Sequence, residues 1–326
     1  MIQLAEAIAT GPFSTVVELV ATGAKREAQL LEIGSNLANV PEVTAGSIAS
    51  YADGKAGQDP LRVGTAVRAR GLQPHIHLTC VNRDRVAMRQ TLREMRALGL
   101  FNVFALTGHP GPGPDSTTDF DSMQLTEMIA QIRAKEGTPF HISVAVSPFR
   151  YTREDCLNQY LRLERKVAAG ANLAITRPGW DARKFAELKR YVDDRGLGIP
   201  LLGNVHVLSR RAAEQMSTGI SPALIEVLRK ESDAPDGGLQ TRLERAAKTL
   251  AVLKGLGYAG AYIAGTSAAE QITEILHRAR EFEGHWQRCA ADLQFGEPGG
   301  FYLDAPAMAA PRAAGATAAQ SAPSQS

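Results

Sequence analysis

Short runs rich in β-branched and apolar residues recur along this chain, and stretches with helical spacing separate them. They fall at residues 14–20 (STVVELV), 41–47 (PEVTAGS), 74–80 (PHIHLTC), 103–106 (VFAL), 139–147 (PFHISVAVS), 172–176 (NLAIT), 200–208 (PLLGNVHVL) and 258–264 (YAGAYIA). Regular alternation of strand and helix predicts βα units and a parallel sheet. No glycine fingerprint follows the first run, so the expectation is a closed (β/α)8 TIM barrel, not an open doubly wound sheet. At 326 residues the chain exceeds the usual single-domain size unless the fold is a barrel. The barrel is expected over residues 1–283 and a C-terminal extension over 284–304, where the helical period fades. A low-complexity tail over 305–326, rich in Ala, Pro and Ser, is expected to be disordered.

Charge and cysteine content exclude several classes. The 36 basic and 34 acidic residues leave a formal charge of +2, spread in short alternations, which argues against a nucleic-acid partner. The three cysteines, Cys80, Cys156 and Cys289, stand isolated, so no disulfide framework or structural zinc is expected. No apolar run approaches membrane-spanning length and the N-terminus has no leader pattern, so the expectation is a soluble, cytoplasmic protein with no membrane partner.

Barrel enzymes carry their chemistry at the C-terminal ends of the strands. That rule selects Glu18, Thr44, His77, Thr79, His109, Ser147, Arg177 and Asn204. Glu18 reads either as a solvated strand edge or as a carboxylate held in the barrel mouth. His75 and His77, two apart on a strand, share a face and read either as packed histidines or as metal ligands. Residues 108–114 (GHPGPGP) cannot continue as strand or helix, so the fourth strand delivers His109 into a tight turn. In the helix at 152–169, Arg162, Arg165 and Lys166 read as a solvated face complementing the helix dipole.

Taken together, Glu18 after the first strand, PEVTAGS, PHIHLTC, ALTG, ISVAVSPF and RKVAAGANLAITRPGWD resemble the methylenetetrahydrofolate reductase family. The SPFRYT and GWDARKF pieces resemble its branch in acetogens and other anaerobes. The resemblance spans roughly residues 14–282 and implies a flavin (FAD) barrel that interconverts 5,10-methylenetetrahydrofolate and 5-methyltetrahydrofolate, with NADH or NADPH as a donor. It implies that Glu18 is the general acid that opens the imidazolidine ring of the folate to an iminium. Thr44, His77, Thr107, Gly108 and Ser147 are implied around the flavin, Arg165 and Lys166 near its phosphates, and Arg177 and Asn204 against the tetrahydrofolate derivative.

Three departures from the family pattern bear on function. His109 stands where the family carries an aspartate, which implies a catalytic role for it in favouring reduced flavin and a bias towards methyltetrahydrofolate oxidation. Arg177 replaces a folate-contacting glutamine. Gly265-Thr266-Ser267 occupies the region where an arginine for the folate tail is expected. Other readings stay open: a flavin-independent NAD(P)H-dependent reductase, a metal-dependent hydrolase using His75, His77 and His109, a non-catalytic partner subunit, and a homo-oligomer or electron-transfer complex.

Overall fold

The structure, a computed structural model, describes residues 4–11, 13–21, 26–49, 59–108, 119–216 and 220–303. His109 and the tail at 305–326 lie outside the described residues. Eight parallel strands close into a barrel in chain order: β1 (Ser14–Glu18), β2 (Val43–Ile48), β3 (Gln73–Thr79), β4 (Asn102–Leu106), β5 (His141–Val146), β6 (Leu173–Thr176), β7 (Leu201–His206) and β8 (Gly260–Ala264). The last strand pairs with the first, Val16 opposite Tyr262, which closes the ring. The expected TIM barrel is the fold observed.

The helices are α1 (Leu4–Thr10), α2 (Arg26–Leu37), α3 (Pro60–Arg68), α4 (Arg85–Leu98), α5 (Ser122–Glu136), α6 (Arg153–Ala168), α7 (Ala182–Asp194), α8 (Arg210–Gln215), α9 (Pro222–Glu231), α10 (Leu239–Gly255), α11 (Ala269–Phe282) and α12 (Trp286–Asp292). Their ends follow local chemistry. In α4 the Asp84 carboxylate accepts the amide of Ala87 at 2.7 Å, and Gly99 stops the helix in the left-handed region at φ 68°. Met88, Leu92 and Met95 recur at helical spacing and are buried. In α5 Asp121 and Gln124 form a reciprocal capping box.

Two apolar layers result. The larger lies between strands and helices and runs through every part of the ring, from Val17 and Ile48 to Ile263 and Ile275. The smaller fills the barrel axis with Val16, Ala45, Phe104, Ile175 and Tyr262, and Leu4 of α1 belongs to it. A polar string crosses this axis. Ser47 Oγ lies 3.0 Å from His75 Nδ1 and 2.8 Å from His77 Nε2, and His75 Nε2 lies 3.0 Å from Ser143 Oγ. Most buried polar groups are paired, and these are.

Past α11 the chain continues into packed structure. A 3₁₀ turn (Glu283–His285) leads into α12, whose Cys289 and Ala290, with Leu293 beyond it, are buried with Ala182 and Val252. A seven-residue helix has too few turns to display a period in sequence.

Candidate active site

A cavity of about 590 Å³ opens where the C-terminal ends of the strands converge. Glu18, His77, Thr107, Gly108, Ser147, Lys166, Arg177 and Asn204 line it together. Thr44 and Arg165 do not.

The phase of β2 separates Thr44 from the mouth. Ala45 belongs to the axial cluster and Ser47 bonds the axial histidines, so Thr44, one residue before Ala45, projects to the opposite face. Ser47, beside Glu18 in the β1–β2 register, is the inward polar residue of this strand. Arg165 and Lys166 are separated by the helical turn angle. Gln159, Arg162 and Lys166 form the face of α6 that lines the cavity, whereas Arg165 is exposed on the outer surface. Of the cations at 162, 165 and 166, the solvated-face reading fits Arg165, fits Arg162 in part, since it is exposed and also reaches the cavity, and does not fit the buried Lys166.

Glu18 ends β1 partly buried at the mouth, and burial raises its carboxyl above the usual range. A hydrogen bond to Tyr262 opposes that shift. Tyr262 in β8 also stands 3.2 Å from His77 Nε2, so Glu18, Tyr262, His77 and Ser47 are linked in a chain that continues to His75. Burial keeps both histidines neutral, lowering His77 to about 4 and His75 well below its ordinary value. Both ring nitrogens of His75 face serine hydroxyls and neither is open to a metal ion. Among the described residues no group of three or more His, Cys, Asp or Glu side chains is placed to hold one.

The walls differ in character. Phe104, Leu106, Ala145, Ile175 and Ala264 supply apolar surface. Phe104 carries the histidines, stacked on His75 at 5.5 Å between centroids and edge-on to His77 at 5.1 Å. The other wall is cationic: Arg150, Arg162, Lys166 and Arg177. Among the described lining residues Glu18 is the only carboxylate. Lys166 is held by the carbonyl of Ala145 at 2.7 Å, and burial, aided by Arg162, lowers it to about 8.

Two loops at the mouth are constrained by the backbone. Gly108 ends the β4 side at φ 85°, and a Cβ there would come within 2.8 Å of Val81. Thr107 lines the cavity and also caps α5, its hydroxyl accepting the Ser122 amide at 3.1 Å. On β7, Asn204 and His206 share the inward face, two residues apart. The Asn204 Oδ1 and His206 Nδ1 atoms are buried without a hydrogen-bond partner, and burial lowers His206 to about 4. Unpaired buried polar atoms facing a cavity are the positions at which a ligand's polar edge gains most.

Sequence reasoning passed over Ser47, Arg150, His206 and Tyr262. The signal for His206 and Tyr262 was present in strand parity and C-terminal position. Ser47 needed the phase of β2, and Arg150 needed the path of the loop after β5.

A protonatable carboxyl, neutral histidines, an apolar floor and a cationic wall at the mouth of a (β/α)8 barrel define a site for an anionic, partly planar ligand with a proton transfer beside it. The family model for methylenetetrahydrofolate reductase matches residues 24–279, and the chain belongs to that family. It is 33% identical over 136 residues to methylenetetrahydrofolate reductase (NADH) 1 of Zea mays, a match that covers 38% of this chain and 23% of the maize protein. It is 28% identical over 136 residues to 5,10-methylenetetrahydrofolate reductase of Salmonella typhimurium, covering 41% of this chain and 44% of that protein. The chain thus spans less than half the length of these relatives. Among solved structures, an uncharacterised protein from Clostridium thermocellum that binds two copies of 5-methyl-5,6,7,8-tetrahydrofolic acid superposes with a TM-score of 0.61 at 10% identity. That match covers 86% of this chain and 99% of the other, and it shows the shared fold.

Proposed function

We propose that this chain interconverts 5,10-methylenetetrahydrofolate and 5-methyltetrahydrofolate, with Glu18 as the proton donor and acceptor. The observation that carries the reading is the Glu18 carboxyl, raised by burial, bonded to Tyr262 and the only carboxylate among the described residues that line the barrel mouth. Family membership supports it, as does the folate bound by the clostridial barrel of the same fold.

A carboxyl raised by burial holds its proton nearer to neutral pH, where it can protonate the folate ring nitrogen and take the proton back in the reverse direction. Tyr262 fixes the carboxyl, and the neutral His77 fixes Tyr262. Phe104, Leu106 and Ile175 exclude water on one side. Asn204 Oδ1 accepts an N–H of the bound ring system, and Arg177 faces the carboxylates of the folate.

The residues present also fit a flavin. Lys166, Arg162 and Arg150 match the charge of its phosphates, Ser147 and Thr107 offer hydroxyls to the chain, and the flat apolar wall suits the ring. A flavin bound there supplies hydride exchange with the one-carbon unit, and a nicotinamide is the donor class that the maize relative's name specifies. His109, in place of the family's aspartate, extends the proposal to a bias towards methyltetrahydrofolate oxidation.

The deciding experiment is the visible spectrum of purified protein supplied with FAD, followed by anaerobic addition of methyltetrahydrofolate. Bound flavin that bleaches is the expected result. Glu18→Gln should retain the flavin and lose about 10²–10⁴ in turnover, the usual contribution of a positioned acid. A protein that takes up no flavin and gives no methyltetrahydrofolate turnover with NAD⁺ or NADP⁺ overturns the reading.

A further inference from the structure

The segment that follows α12 runs across the two loops that supply Ser147, Arg150, Arg177 and Pro178 to the cavity. The Ala182 amide donates to the Leu293 carbonyl at 2.7 Å, Gln294 makes an antiparallel bridge with Asp181, and the Phe295 amide donates to the Trp180 carbonyl at 3.2 Å. A few residues later the Phe301 amide donates to the Tyr151 carbonyl at 2.7 Å and the Tyr302 hydroxyl to Asp181 Oδ2 at 2.5 Å. The Leu303 amide then donates to Glu187 Oε2 at 2.9 Å.

Three of the anchors adjoin the site. Tyr151 lies in the loop after β5, which supplies Ser147 and Arg150 to the cavity. Trp180 and Asp181 close the turn after β6, which supplies Arg177 and Pro178. The Trp180 ring packs in a cluster with Leu208 and Leu224 that includes Phe295, and stands edge-on to His206 at 6.0 Å between centroids. Two glycines let the segment come this close. A Cβ at Gly296 would lie 2.2 Å from Asp181 Oδ2, and one at Gly300 would lie 2.8 Å from the Tyr151 ring.

We propose that residues 293–303 are a strap that positions the ligand-binding wall: Tyr302, acting through Asp181, sets the turn bearing Arg177, and Phe295, acting through Trp180, backs His206. These are positioning residues, since none of them lines the cavity. The inference that the wall serves a folate rests on the proposed function; the positioning itself does not.

Two readouts on full-length protein separate these claims. In Tyr302→Phe and Gly296→Val, amide hydrogen exchange across residues 147–152 and 177–181 should speed up by about tenfold or more, with the α2–α3 side unchanged. Tyr191→Phe serves as a control, because it removes a similar buried hydroxyl bond, 2.6 Å to Glu164, at the far end of α7. It should leave both loops unaffected. Methyltetrahydrofolate should bind about tenfold more weakly to the strap variants, with KM raised far more than kcat is lowered. Unchanged exchange in both loops overturns the strap, whatever the affinity. If the native protein binds no methyltetrahydrofolate, the folate reading fails while the exchange data still decide the strap.

Discussion

Lys166 shows how one side chain's setting determines its behaviour. Its ammonium is buried against the Ala145 carbonyl, and burial with Arg162 nearby lowers it to about 8, while Asp121 pulls the other way. Its folded value is below its unfolded one, so between about 8 and 10.5 the unfolded chain binds more protons, and stability rises with pH across that window. An anion bound beside it reverses the preference, because it favours the charged form. Inorganic pyrophosphate, used as a probe, should bind more weakly at pH 9 than at pH 7, and Lys166→Met should flatten that dependence. Calorimetric titration at the two pH values checks both. Lys166 was legible as a residue of the site only through family resemblance. Its neighbour Arg165 carried the same reading and points outward, because a helix turns about 100° per residue and a sequence match does not fix the phase. Thr44 fails for the same reason on a strand, where one residue changes the face.

At the scale of elements, helix α7 combines two functions. Its N-terminus, with the Asp181 cap, receives the strap, and one turn further in Lys184 and Glu187 form a fully desolvated pair at 3.0 Å. Glu187 also accepts from Tyr160, from Cys156 at 3.1 Å and from the Leu303 amide. Removing one member of such a pair leaves the other charge buried, which costs about 3–5 kcal/mol. Lys184→Met should therefore lower stability by that order in urea unfolding, and the double change Lys184→Met with Glu187→Gln should recover part of it, since the neutral amide oxygen still accepts from Tyr160 and the Leu303 amide. All eight strands were readable from apolar runs and their alternation with helical spacing, with ends shifted by a few residues. The pair on α7 was not readable, since in sequence Lys184 and Glu187 look like an ordinary i, i+3 surface pair. Only the arrival of Tyr160, Tyr151 and the C-terminal segment buries them.

The described residues pack as one unit. The outer apolar layer is continuous through the ring, and α12 packs on α10 and α7, not apart from them. The chain's two tryptophans test this, for Trp180 sits in the turn after β6 and Trp286 begins α12. In the single-tryptophan variants Trp286→Phe and Trp180→Phe, fluorescence should report coincident unfolding midpoints in denaturant. An earlier transition at Trp286 would show that the C-terminal helix melts separately from the barrel.

By itself, the sequence determined the class of fold, because eight apolar runs alternating with amphipathic helices have few ways to bury both faces of every strand. It also determined that Glu18, His77, Ser147, Arg177 and Asn204 converge, because strand ends in a barrel share one mouth. Tertiary structure alone decided which neighbours complete the site. Ser47, His206 and Tyr262 join it through the closure of the ring and the pleat of each strand, and the C-terminal strap joins it by crossing loops more than a hundred residues away in sequence. Contacts of that kind depend on the relative phase and approach of distant elements, which local patterns of polarity do not encode.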